Sequence, residues 1–244
     1  MSEIKVMGIV TRHADYKDSD RILSLFTERY GMLTVSSRGC RRPNSPLLSS
    51  SEMFVYGEFV LFENKNRYTL SSCDVREAFY PLREDTDKLY AATYMLSLVN
   101  AGSTEQESSG AQLRLLYYAL TYCAYTDMAP VDIAVCFAAR YLALLGFSPA
   151  LTRCAVCGRD LRGDSSILFD ASAGGAVCTG CGAGDTVSSL SLSLEAVRRM
   201  LLLSDEDMKL VRLPERVRQE LRRIINEYAE YSLERRFKAL SMIQ

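Results

Sequence analysis

Four cysteines in two pairs constrain this chain more than any other feature. Cys154 and Cys157 form one Cys-x-x-Cys knuckle, Cys178 and Cys181 form a second, and twenty residues separate Cys157 from Cys178. That spacing matches a structural zinc site. Zinc accepts four thiolates tetrahedrally, and each tight knuckle delivers two sulfurs. Gly158 and Gly182 each follow the second cysteine of a pair, which suits turns at positive φ with N–H groups facing sulfur. Two disulfides are the alternative; they require an oxidising compartment, which nothing else in the sequence suggests. A four-thiolate site is coordinatively closed, so its metal, one Zn2+ per chain, is expected to hold a fold together and not to catalyse. The stretch between the knuckles, with Gly163, Gly174 and Gly175, is poor in apolar residues. Metal binding there supplies most of the local folding energy.

At 244 residues the chain is long enough for one large or two small cores. With 48% hydrophobic and 24% charged residues it reads as a soluble globular protein. Met1-Ser-Glu-Ile-Lys-Val has no apolar stretch of a secretory signal. No run approaches the roughly 20 apolar residues of a membrane span. Cys40, Cys73, Cys123 and Cys136 are scattered singly, as buried thiols in a reducing cytoplasm would be. A cytoplasmic location is expected.

Residues 1–80 read as β. Ile4 to Thr11, Ile22 to Thr27, Leu33 to Ser36, Met53 to Glu63 and Arg67 to Cys73 are strand-like by alternation and composition. Asn64-Lys65-Asn66 is a hairpin turn signal. Five short strands in about eighty residues suggest an oligonucleotide-binding (OB) barrel, with a small sandwich or open sheet as the alternative. From Asp85 the period becomes helical. Leu89, Ala92, Leu96 and Val99 share one face; Leu113, Leu116, Tyr117 and Leu120 mark a second helix; Ile133, Phe137, Tyr141 and Leu144 mark a third, ending at Gly146. Residues 102–110 read as a flexible surface loop. A fourth helix spans Leu194 to Leu203. Pro214 opens a fifth, with Val217, Leu221, Ile224 and Tyr228 on its apolar face. The expectation is a multi-domain chain: an all-β OB-fold barrel over 1–80, then an α-helical domain over 81–244 with a four-cysteine zinc module inserted at 150–185.

The net charge of −1 neither favours nor disfavours a nucleic-acid partner, but its distribution is informative. Residues 1–80 carry net +1, 81–149 net −3, 150–185 net −1 and 186–244 net +2. Within Tyr30 to Ser51, Arg38, Arg41 and Arg42 occur with no acid. Arginine bonds phosphate bidentately and releases counterions, so this loop is either a phosphate clamp or a solvated turn. Arg12, Arg21, Lys65 and Arg67 extend the groove if the barrel forms. Tyr16, Tyr30, Tyr56 and Tyr68 either stack bases or fill the core. Arg216, Arg218, Arg222 and Arg223 on the last helix, with Arg235, Arg236 and Lys238 after it, suit an acidic peptide or ordinary i,i+4 pairing. His13 is the only histidine, and no phosphate loop or dinucleotide fingerprint occurs. Zinc deaminase spacing fails, since Arg153 precedes Cys154. Neither an enzyme nor a small-molecule substrate is expected.

Taken together, Gly8-Ile9-Val10, Asp15 through Ile22, Leu25-Phe26-Thr27, Tyr30-Gly31, Arg38-Gly39, Arg41-Arg42, Leu144 through Pro149 and the two cysteine knuckles resemble the RecO family of bacterial recombination mediators over nearly the full length. The chain departs from that pattern after Arg42, where Pro43-Asn44-Ser45-Pro46 stands in place of a further basic residue. The resemblance implies an OB barrel and a helical domain with a zinc module. It implies binding of single- and double-stranded DNA, annealing of complementary strands, and loading of recombinase onto strands coated by single-strand-binding protein. Its implied partners are RecR and the acidic C-terminal tail of single-strand-binding protein, and its location the nucleoid. A zinc-ribbon adaptor that binds only proteins is the alternative that the near-neutral charge leaves open.

Overall fold

The alternating pattern of the first eighty residues is realised as β1 (Ser2–Tyr16), β2 (Asp20–Thr27), β3 (Gly31–Ser37), β4 (Tyr56–Asn64) and β5 (Arg67–Glu77). In the computed structural model, which describes residues 2–105, 107–164, 166–182 and 191–243, these strands close into a barrel in the order β1-β2-β3-β5-β4. β1 pairs antiparallel with both β2 and β4. A short parallel pairing, Val35 with Tyr68 and Ser36 with Thr69, seals β3 against β5. This is the five-stranded oligonucleotide-binding architecture. Val10, Leu25, Val35, Phe59, Leu61 and Leu70 fill the interior.

The strands differ from their expected limits, most at β1, at β4 and at β5, which runs on past Cys73 to Glu77. β1 continues past Thr11 because its polar second half pairs with β2 as a hairpin, ending with Tyr16 opposite Asp20. β4 begins after Met53 because Phe54 takes the left-handed conformation at φ 70°, which breaks an extended run. The expected turn forms between β4 and β5, with Lys65 and Asn66 at φ 50° and 59°. Two left-handed central residues match the twist of flanking strands.

The change of period at Asp85 produces α1 (Thr86–Gly102). The Asp85 carboxylate caps it, accepting the Lys88 N–H at 2.9 Å. α2 (Gly110–Tyr125) and α3 (Pro130–Leu144) follow. After a hairpin of β6 (Ile167–Asp170) and β7 (Gly175–Cys178) come α4 (Ser191–Leu202) and α5 (Glu215–Ser232). α3 is apolar and buried almost all round, as a helix at the centre of a bundle must be. It ends in a Schellman-type stop, where Phe147 N–H donates to Leu142 O at 2.8 Å and Gly146 takes φ 91°.

α1 buries more than the single stripe its sequence suggests. Tyr94, Met95, Leu98 and Val99 are all enclosed, because the barrel, α3 and the C-terminal segment around Phe237 and Leu240 pack on different sides. The barrel and the helices share this core: Ile9, Phe26 and Phe54 face outward from the strands into it. The described residues between α1 and α2 form the expected connection, but they are docked on the barrel. Thr104 O accepts the Met32 N–H at 3.1 Å, and Ser109 N–H donates to Glu28 O at 2.8 Å. Gly31 allows this approach, since a Cβ there would strike Thr104 O.

α3 and α5 are fastened by an ion pair. Asp132, 0% exposed, accepts Arg218 Nε at 2.7 Å, Arg218 Nη2 at 3.1 Å and the Leu213 N–H at 3.1 Å. Among the described residues no helix is long and apolar enough to cross a membrane. Residues 183–185, the end of the expected zinc module, lie outside the described residues.

Candidate metal centre and nucleic-acid interface

The β6–β7 hairpin, in register from Ile167 opposite Cys178 to Asp170 opposite Gly175, places Cys178 at a strand end. The first knuckle lies against it. Ala155 N–H donates to Ala176 O at 2.8 Å, and Cys178 N–H points at Cys154 Sγ at 3.4 Å. All four sulfurs fall within 4.8 Å of one another, and Cys157 Sγ and Cys178 Sγ are 3.9 Å apart. Four Zn–S bonds of about 2.3 Å in a tetrahedron place sulfurs about 3.8 Å apart, so this donor set fits a metal ion. The eight cysteines of the chain are free thiols, which sets the geometry against two disulfides.

Electrostatics at the four thiols are uneven. Amide N–H groups of Cys157 and Cys178 aimed at sulfur lower Cys154 to about 6. The thiols of Cys178 and Cys157 push Cys181 up to about 12. Four thiolates this close repel one another, and a divalent cation removes that cost. Gly158 has the expected positive φ of 75°. Gly182 has no such φ; a Cβ there would meet the tip of the Leu168 side chain, which would have to shift. The module's small core of Leu161, Ile167 and Val177 is completed by Leu194 of α4 and Ile224 of α5.

Arg38, Arg41 and Arg42 are exposed on a run of turns after β3. Their loop is held in place. Gly39 N–H donates to the Asp20 carboxylate at 2.7 Å, Arg41 N–H donates to Ser19 O at 2.9 Å, and Cys40 is buried. Residues 30–51 hold no acid, but the fold brings Asp15 and Asp20 from the β1–β2 hairpin against them. Arg41 pairs with Asp15 at 3.3 Å. Arg21 departs from the expected groove and is a correction. Its guanidinium, 14% exposed, is bound by Glu52 at 2.6 Å and Asp15 at 3.2 Å, so it braces the hairpin and presents little open surface.

Lys65 and Arg67 are exposed at the β4–β5 turn. Arg67 precedes Tyr68, which pairs with Val35, and Arg38 lies three residues beyond Val35; the offset along the strands is about 13 Å. Arg12 faces α1 and lines a recess with Arg235 and Arg236. The seven basic residues therefore do not form one groove. Arg38, Arg41, Arg42 and Arg21 cluster at the β1–β2 hairpin, Lys65 and Arg67 lie along the β3–β5 seam, and Arg12 is turned to the helices.

Of the four tyrosines, Tyr30 and Tyr68 pack on the barrel core and Tyr56 on Tyr117, ring centroids 4.7 Å apart. Tyr16 is exposed, with Lys17 Nζ 5.3 Å from its ring centroid. The arginines of the last helix are already engaged: Arg216 with Glu220, Arg223 with Glu227 and Arg218 with Glu215 on the same helix, Arg218 also with Asp132 of α3, while Arg222 donates to Ile243 O. That favours the ordinary paired face over a peptide site. Sequence spacing misses Asp15 and Asp20 as partners of the arginine loop, and Glu52 as the partner of Arg21, because they are distant in the chain.

Two family profiles match successive parts of the chain. The one described as recombination protein O N terminal covers residues 1–79, and recombination protein O C terminal covers residues 83–241. The chain belongs to the RecO family. It is 30% identical to the DNA repair protein RecO of Acetivibrio thermocellus, over 100% of this chain and 97% of that protein. It is 31% identical to the DNA repair protein RecO of Symbiobacterium thermophilum over 98% of this chain and 96% of that one. The similarity to the DNA repair protein RecO of Moorella thermoacetica is 29%, over 97% and 88%. The RecO matches span barrel, helices and cysteine knuckles alike, so the sequence resemblance and the closed barrel agree on a DNA repair protein.

Proposed function

We propose that this protein is a non-enzymatic mediator of DNA repair and recombination. It binds single- and double-stranded DNA, anneals complementary strands, and helps load recombinase onto strands coated by single-strand-binding protein. RecR and the acidic tail of single-strand-binding protein are its partners, and it works in the cytoplasm at the nucleoid. Residues 1–80 are the DNA-handling unit, and residues 81–244 carry the helical domain with its module at 150–185. The ion at Cys154, Cys157, Cys178 and Cys181 is one structural zinc. The observation that carries this reading is a five-stranded barrel of RecO membership with Arg38, Arg41 and Arg42 exposed on one braced loop.

Asp15 and Asp20 hold that loop by its backbone and by Arg41, which leaves Arg38 and Arg42 facing solvent. The loop is pre-shaped, so little ordering entropy opposes phosphate binding. Changing Arg38, Arg41 and Arg42 to Ala is expected to weaken single-strand binding without unfolding the barrel. The dependence of log K on log salt should flatten by roughly 0.7 for each phosphate no longer neutralised, equally across sequences. Filter binding at several salt concentrations reads both. The Arg41–Asp15 pair and the near-neutral charge favour a second reading, an adaptor that binds proteins only; wild-type protein that fails to shift labelled single strands at low salt supports that one.

A further inference from the structure

β1 carries a bulge between Val10 and Arg12. It turns the Thr11 hydroxyl onto Asn100 Oδ1 of α1 at 2.8 Å. Arg12 follows, and it lines a recess of about 260 Å³ with Ser97 and Asn100 of α1 and with Arg235, Arg236 and Phe237. Three guanidinium-bearing residues from two distant parts of the chain thus meet at one place. Phe237, 4% exposed, fixes the C-terminal strap edge-on against Tyr94, centroids 6.1 Å apart. The Phe237 N–H donates to Glu230 Oε1 at 2.9 Å, and Asn226 Nδ2 donates to the same oxygen at 3.1 Å. Glu230 is therefore committed to backbone and amide.

Arg198, Arg199, Arg216, Arg218 and Arg223 each pair with a carboxylate. Among the described residues Arg12, Arg235 and Arg236 have no such pair, as is also true of Arg38, Arg42, Arg67, Arg153, Arg212 and Arg222, but these three share one recess. Unpaired like charges gathered at a recess raise the local potential and attract an oxyanion, and guanidinium groups match phosphate bidentately. Asn100 adds a donor: one Nδ2 hydrogen goes to Leu96 O at 2.7 Å, which leaves its second directed elsewhere.

We propose that Arg12, Arg235 and Arg236 form a second phosphate-binding site, which takes a backbone phosphate of nucleic acid at the junction of barrel and helices. The site is separate from the arginine loop. Successive strand residues point to opposite faces; Arg12 pairs with Ser24, while Asp15, which holds Arg41, pairs with Arg21. An odd offset along β1 puts the two arginine groups on opposite sides of the β1–β2 ribbon. This inference rests on the DNA-binding reading above and adds a second anchoring point to it.

The test compares wild type, an Arg12→Gln/Arg235→Gln/Arg236→Gln variant and the Arg38→Ala/Arg41→Ala/Arg42→Ala variant. All three are checked for equal thermal melting, and single substitutions replace any triple that melts early. Each is titrated with a labelled oligonucleotide over a salt series, and separately with inorganic phosphate followed by amide chemical shifts at Asn100 and Phe237. The glutamine variant is expected to bind DNA about tenfold more weakly at low salt. Its salt slope should be smaller by about 0.7, the value for one phosphate no longer neutralised, and its loss of affinity should add to that of the arginine-loop variant. Phosphate should shift Asn100 in wild type and in the loop variant but not in the glutamine variant. A glutamine variant with wild-type affinity and slope overturns the proposal. Phosphate shifts at Asn100 in a protein that binds no DNA would also overturn it, assigning the recess to a small phosphate compound. If only the loop variant keeps wild-type DNA binding, the loop reading fails and this site stands.

Discussion

Stripping the metal from Cys154, Cys157, Cys178 and Cys181 is expected to melt the segment they organise, at a cost on the order of 10 kcal/mol of local folding energy. The reason is the thinness of what else holds it. Its own core is Leu161, Ile167, Ala176 and Val177, and it needs Leu194 and Ile224 from the helices to close. Without a cation, four thiol groups within 4.8 Å lose their common partner. Chelation should therefore erase the protection of the Ala155, Ala176 and Cys178 amides in hydrogen exchange while the barrel amides stay protected. Cys157→Ser should do the same with lower yield of folded protein. Metal loading should fall as pH falls, because the ligands bind only as thiolates and protons compete with the ion. Elemental analysis finding one zinc per chain, released together with the amide protection, is the expected result. Protein isolated without metal, with stability indifferent to chelator, would sink it.

The second large effect is at the buried carboxylate between α3 and α5. Arg218→Ala leaves Asp132 at 0% exposure with only the Leu213 N–H as a partner. An uncompensated buried charge costs about 3–5 kcal/mol, or roughly 10 °C in melting temperature for a chain of this size. A merely superficial pair would cost under about 1 kcal/mol. The control is the double change Asp132→Leu with Arg218→Met, which removes both charges. It should recover much of the stability, because burying apolar groups of similar volume is often neutral or stabilising relative to an ion pair. Urea unfolding of the single and double variants reads the difference. A single variant within about 1 kcal/mol of wild type, the range of an exposed pair, would show that Asp132 finds water when its partner leaves.

These two sites differ in how far the sequence announces them. The cysteine knuckles are contiguous, so their spacing alone gives the donor set. The strands of the barrel are visible because alternation is a local property: Ile4, Val6 and Val10 pack on the barrel interior as their spacing suggests. Asp132 and Arg218 lie far apart in the chain, and neither residue carries a mark of the other. The arginine loop is a mixed case. Arg38, Arg41 and Arg42 are evident as a cluster, but Asp15 and Asp20 reach their loop only through the β1–β2 hairpin. Arg21 reads as an open cation for the same reason, since nothing in its loop of the sequence foretells Glu52. Gly158 takes the positive φ its place after a knuckle suggests, whereas Gly182 does not and only crowds the tip of Leu168 across the hairpin. α1 hides part of its burial because three different elements cover it, which no single periodic stripe encodes.

The central claim is that the barrel's arginine loop handles DNA for annealing, and one experiment addresses it most directly. Complementary strands are coated with single-strand-binding protein, and duplex formation is followed with wild-type protein and with the Arg38→Ala/Arg41→Ala/Arg42→Ala variant. Point variants are preferable to removing residues 1–80, because Ile9, Phe26 and Phe54 pack into the helical core and their removal would expose it. A parallel arm uses single-strand-binding protein without its acidic tail. The expected result is rapid annealing by wild type, loss of most of that rate in the variant at equal thermal stability, and loss of wild-type stimulation when the tail is absent. Equal annealing by wild type and variant on the coated strands would contradict the account.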